Sequence, residues 1–164
     1  MSELILGLDP GQSTGWSLWE LPPDLPVQRL EYGLIHGGLE GAAEWMENRL
    51  GLFRPTTIVC EKFNQNDGRV ARADLTPLPI EGLVYGASRA LGIDLVYQPT
   101  SAKDQVHDSL LREHGLYVEN AEARTNPDIL WQDARDVNDS EIHVLAWVKL
   151  MEHEPTIDLY WPDR

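Results

Sequence analysis

Cysteine is almost absent from this chain: one residue, Cys60, in 164. A single thiol excludes an internal disulfide and a cysteine-built zinc cluster, and it fits a reducing compartment. Positive charge is scarce as well. Thirteen Lys and Arg stand against 27 Asp and Glu, a net charge of −14, and such a balance repels polyanions at long range. There is no apolar run of membrane-spanning length, and Met1-Ser2-Glu3 does not open the basic and apolar regions of a secretory signal. The expected location is the cytoplasm, with no membrane partner. Neither an internal repeat nor a low-complexity tract is found, and 42% hydrophobic residues suffice for one compact domain over 1–164.

What is present begins with an apolar run, Leu4 to Leu8, that stops on Asp9-Pro10-Gly11. Its length suits a buried strand, and Thr14 to Trp19 reads as its hairpin partner. A carboxylate at the mouth of a buried hairpin needs water, a metal or a donor; alternatively, Asp9 is a turn residue bonding its own backbone. A Pro-rich connection, Leu21 to Pro26, leads to a third strand, Val27 to Ile35. Leu39 to Phe53 then carries apolar residues at helical spacing. Thr56 to Cys60 is a β-branched run that ends, like the first strand, on an acid, Glu61.

Lys62 to Thr76 is polar and shows no apolar period, so a mobile loop is expected there. Pro77 to Leu91 reads as a helix, with Gly82, Gly86 and Ala90 on one side for core packing or a dimer contact. Ile93 to Gln98 reads as a strand and Ala102 to His114 as one helix stopped by Gly115. Tyr117 to Asp133 is a connection. Asp136 to Glu154 is the expected last helix, ended by Pro155, and Ile157 to Trp161 must pack or form a contact surface. The order is α/β: three antiparallel N-terminal strands, then two parallel strands between helices.

Parallel strands ending on Asp9 and Glu61 place both acids at one sheet edge, where open α/β sheets bind ligands. Asp136, Asp139 and His143 fall within one arc of the last helix, a face that continues into Trp147 and Leu150; Glu141 points the other way. Singly, these are an acid-rich first turn and a core histidine. Together, four converging carboxylates repel one another, and divalent cations relieve this. Oxygen ligands suit Mg²⁺ or Mn²⁺, and two such ions about 4 Å apart hydrolyse phosphodiesters. Asp9 would bridge them, with Glu61 on one and Asp139 and Asp136 on the other; His143 would orient the water or a carboxylate. The few cations gather between Glu61 and the last helix, so Arg69, Arg72, Lys103 and Arg112 are candidate phosphate contacts. Lys62 joins that basic set.

Leu8-Asp9-Pro10-Gly11 with Ser13-Thr14-Gly15, Val59-Cys60-Glu61-Lys62-Phe63, and Asp136-Val-Asn-Asp139 with Val144-Leu145-Ala146 resemble the motifs of RuvC-type Holliday junction resolvases. The resemblance spans most of the chain. It implies a ribonuclease H-like, five-stranded mixed sheet flanked by helices and a homodimer that cuts four-way DNA junctions with Mg²⁺ or Mn²⁺. It also implies metal-ligand roles for Asp9, Glu61, Asp139 and Asp136, a junction-probing role for Phe63, and Lys103 at the scissile phosphate. Asp139-Ser-Glu-Ile-His143 is similar to bacteriophage versions of the resolvase, whose location would be the host cytoplasm. Other readings are a ribonuclease H acting on RNA–DNA hybrids, an actin-like or sugar-kinase-type ATP-binding domain, and an inactive nucleic-acid binding module. The ATPase folds need a second lobe and about twice this length.

Overall fold

The computed structural model describes residues 2–63, 75–119 and 134–162. Its centre is a five-stranded sheet in the order β3-β2-β1-β4-β5, formed by β1 (Glu3–Asp9), β2 (Thr14–Leu21), β3 (Gln28–Ile35), β4 (Thr57–Lys62) and β5 (Asp94–Pro99). The first three strands are antiparallel; β4 runs parallel to β1 and β5 parallel to β4. The expected α/β mixed sheet is therefore the observed one. Lys62 belongs to the end of β4 rather than to the loop after it.

Strand alternation divides the side chains between two cores. Leu6, Leu8, Ile58 and Cys60 face α1 (Gly38–Phe53) and α2 (Pro77–Leu91), where they meet Met46, Ile80 and Val84. Ile5, Val59 and Val96 face the other way, toward Leu145 and Val148 of the long helix α4 (Ala134–Leu150). By the same period of two, Asp9, Glu61 and Gln98 turn to the α4 side, at the carboxyl ends of three adjacent strands.

Two glycines set how closely α4 approaches. A Cβ on Gly15 would lie 1.9 Å from the Asp136 carbonyl oxygen, and one on Gly7 2.6 Å from that of Ser140. Any larger residue pushes the helix off the sheet. The Ser140 hydroxyl, donating to the Val137 carbonyl at 2.7 Å, stands 3.1 Å from the Ser17 hydroxyl in the same small-residue groove. Backbone contact at Gly7 and Gly15 thus carries the first turns of α4 over the end of β1.

Two helices differ from the pattern-based expectation. Ala102 to His114 is not continuous: a 3-10 helix (Thr100–Gln105) is followed by extended backbone at Val106 and His107 and then by α3 (Asp108–Glu113). Val106 and Leu111 are both buried in the α4-side core, and the break lets the two short pieces each turn an apolar side inward while Lys103 faces the strand ends. The last helix stops at Leu150. Glu152 adopts a left-handed φ of 56° and Pro155 stands in the first turn of a new helix, α5 (Glu154–Tyr160), where its missing N–H costs nothing. Ile157 and Tyr160 complete the core, the Tyr160 ring lying 4.4 Å from His114. Trp147 is buried as expected; Leu150, expected to continue that seat, is 71% exposed because the chain turns away there.

Gly82 and Gly86 have open space where a Cβ would stand, and Tyr85 between them is exposed. That side of α2 does not serve core packing.

Candidate active site

Asp9 ends β1 directly beside β4, whose Cys60 pairs with Leu8, so Asp9 and Glu61 leave neighbouring strands on the same face. Opposite Glu61 in the β4–β5 register stands Gln98. The 3-10 helix that follows β5 brings Thr100 and Lys103 back over the strand ends, and α4 adds Asp139 and His143. Five chain segments therefore supply one cluster.

Lys103 is at its centre. Its Nζ lies 2.7 Å from Glu61 Oε2, 2.7 Å from Asp139 Oδ2 and 3.9 Å from Asp9 Oδ2. Glu61 also accepts the Thr100 hydroxyl on Oε1 at 2.7 Å, while His143 Nε2 is 3.0 Å from its Oε2. His143 is completely buried, whereas the carboxylates keep between 14% and 19% of their side-chain surface exposed. Imidazole and amide form the floor, and the acids face a solvent-reachable rim.

The electrostatics follow from three acids sharing one ammonium. Burial drives the Asp9 carboxyl well above the usual range, and its hydrogen bond to Glu61 adds to this, against the pull of Lys103. Glu61 is held well below the usual range: burial would raise it, but bonds with His143 and Asp9 and the Lys103 charge outweigh burial. For Lys103, burial favours the neutral amine, yet the charges of Asp9, Asp139 and Glu61 overcome it and push the ammonium upward. The three acids thus favour the Lys103 ammonium, the compensation that excess buried carboxylate demands.

An all-oxygen donor set that already holds a cation is the chemistry that suits Mg²⁺ or Mn²⁺. Among the described residues, no three ligand-type side chains stand ready around one point. The ammonium takes the place between Glu61 and Asp139. Asp136 lies half-buried one turn before Asp139, its carbonyl resting on Gly15.

Beside the cluster opens a cavity of about 750 Å³ lined by Thr100, Lys103, His107, Ser109, Arg135 and Asp139. Phe63, at the end of β4, is half-buried, and its N–H is bound by the Glu81 carboxylate of α2 at 2.5 Å. Lys62 is exposed next to it. Arg112 is exposed on α3, paired with Glu119 and stacked on Tyr117 at 3.5 Å; it does not line the cavity. Arg69 and Arg72 lie outside the described residues. The sequence reasoning missed Gln98, Thr100 and Arg135 as site residues. Gln98 carried a signal, a polar residue at an inward position of a strand end; Thr100 and Arg135 owe their place to the break after β5 and to the close approach of α4.

No protein-family model and no curated protein sequence matches the chain. Solved structures do. RuvC of T. thermophilus, in complex with Holliday junction substrate, superposes with a TM-score of 0.61 at 14% identity over 92% of this chain and 97% of that one. Fowlpox virus resolvase, in complex with Holliday junction DNA, gives 0.62 at 10% identity over 91% and 99%. The yeast mitochondrial Holliday junction resolvase gives 0.57 at 14% identity over 93% and 82%. The chain has the RuvC-type, ribonuclease H-like fold. Within that fold the acids of β1, β4 and α4 gather at the strand ends, and the sheet-facing glycines account for the closeness of α4 in this version.

Proposed function

We propose that this chain is a divalent-metal-dependent endonuclease that cuts branched DNA, four-way junctions foremost. The observation carrying this reading is the convergence of Asp9, Glu61 and Asp139 on the Lys103 ammonium beside an open cavity. Asp9, Glu61, Asp139 and Asp136 are the residues to hold Mg²⁺ or Mn²⁺. Two such ions, when bound, supply an activated water on one side of a phosphodiester and stabilise the leaving oxygen on the other.

The remaining chemistry belongs to the chain's own groups. Thr100 and His143 fix the rotation of Glu61, so that its carboxylate does not have to reorganise as charge develops. Lys103, freed from the acids, places its ammonium on the phosphate under attack. Arg135 and His107 line the path by which the strand continues, and Lys62 and Phe63 stand at the end of β4, with Phe63 as the group that probes the junction centre. The open side of α2 around Gly82, Tyr85 and Gly86 is the surface for a second copy of the chain, which a junction with paired cleavage sites requires.

The deciding experiment incubates the protein with a four-way junction, a flap, an RNA–DNA hybrid and a linear duplex, each with Mg²⁺, Mn²⁺ or chelator. Cleavage of the junction in metal and none in chelator is expected. Preferential cleavage of the hybrid would move the protein to the ribonuclease H reading, and cleavage in chelator would remove the metal mechanism.

A further inference from the structure

Gln98 has no part in the scheme above, yet the residue is only 6% exposed and sits across from Glu61 in the β4–β5 register. Its amide lies 2.9 Å from His143 Nδ1. With the NH₂ turned to the ring, the amide donates to Nδ1 and, at 3.1 Å, to the His143 carbonyl, while its oxygen accepts the Trp147 N–H at 3.2 Å. The reverse orientation would set oxygen against carbonyl oxygen and N–H against N–H in a buried place, leaving polar groups unsatisfied. Carbonyl 143 and N–H 147 are the two ends of one α-helical hydrogen bond. The Gln98 amide therefore engages a single turn of α4 at three points.

That arrangement decides the state of the imidazole. A ring whose Nδ1 accepts a hydrogen bond carries its proton on Nε2 when neutral. Nε2 faces Glu61 Oε2 at 3.0 Å, so it donates to the carboxylate. Both ring nitrogens are then committed, and neither retains a lone pair for a metal. We infer that Gln98 is a positioning residue for the Glu61 carboxylate, acting through His143, and that His143 is a hydrogen-bond donor rather than a metal ligand. This rests on the reading of Glu61 as a metal ligand given above. Its physical content is a fixed direction: Oε2 is held by His143 and Oε1 by Thr100, so the carboxylate plane cannot turn away from the rim. Groups that orient a ligating carboxylate in this way typically change metal affinity about 10–100-fold when removed.

The test reads the ring directly. In the ¹⁵N-labelled full chain, long-range ¹⁵N–¹H spectra should show His143 protonated on Nε2 and bare on Nδ1, the signal being assigned by its loss in His143→Gln. Gln98→Leu should mix the two tautomers and weaken Mn²⁺ binding, measured by calorimetry, about tenfold or more. Gln98→Glu, nearly isosteric and able only to accept, should draw the proton to Nδ1 and also weaken Mn²⁺; it decides the matter if the leucine variant does not fold. A wild-type ring protonated on Nδ1, or Mn²⁺ affinity unchanged in a folded Gln98 variant, overturns the role of Gln98 alone. An unsubstituted protein that binds no Mn²⁺ overturns this role and the metal reading together.

Discussion

Helix α4 contributes an acid to two acid–cation clusters on its opposite sides, and their difference separates scaffold from site. On one side Glu141, with no exposed surface, pairs with Arg29 of β3, which also donates to the Leu116 carbonyl and lies 4.2 Å from the centre of the Tyr32 ring. One acid meets one cation. Burial pushes the Glu141 carboxyl up to about 7 even against the Arg29 charge, and its Oε2 has no partner among the described residues. On the other side Asp9, Glu61 and Asp139 share the single ammonium of Lys103 at a rim that solvent reaches. A matched pair whose carboxylate has no exposed surface holds β3, the 116 segment and α4 together. An acid excess at an open rim is an electrostatic debt that a further cation can discharge.

Substitutions on the two sides should therefore act in opposite ways. The largest effect is expected from Asp9→Asn, which removes an acid from the overcharged cluster. Junction cleavage in Mg²⁺ should fall about a thousandfold or more, roughly 4 kcal/mol of transition-state stabilisation, while thermal unfolding shows a protein at least as stable as before. A drop in melting temperature would make Asp9 part of the scaffold after all.

Arg29→Ala breaks the matched pair and should cost about 3–5 kcal/mol of folding stability by denaturant titration, since it strands a buried carboxylate. Adding Glu141→Leu should recover much of that loss. If the double variant is no better than the single one, the pair matters for its bonds to the 116 segment and not for charge.

The smallest effect, and the sharpest for the comparison, is expected from Lys103→Met. Mn²⁺ binding, followed by calorimetry, should tighten about tenfold, about 1.4 kcal/mol, because the ammonium no longer competes for Glu61 and Asp139. Cleavage should fall nonetheless. Equal or weaker Mn²⁺ affinity in this variant would show that the ammonium and the metal occupy different places.

Much of this organisation was legible in the chain. The apolar run ending on Asp9 and the β-branched run ending on Glu61 are parallel neighbours, and the helical arc of Asp139 and His143 does face them. Alternation with a period of two is a local property, so the side of the sheet on which Asp9, Glu61 and Gln98 emerge could be read directly. The helix after β5 could not be read in that way. Its apolar spacing fits one continuous helix, and only the need to bury Val106 and Leu111 while turning Lys103 to the strand ends breaks it. Pro155 likewise looks like a terminator in sequence and serves as a first-turn residue in the structure, because the chain had already reversed at Glu152.

By itself, then, the amino-acid sequence determined the strands, their acidic ends and the parallel crossover, since strand periodicity and turn chemistry act over a few residues. The tertiary structure alone decided how those acids are compensated. That Lys103 lies among three of them, that Glu141 finds Arg29 across 112 positions, and that the Gln98 amide enters the hydrogen bonds of α4 all depend on how closely α4 settles onto Gly7 and Gly15. Charge compensation between side chains in close contact is a property of packing, and no local pattern encodes it.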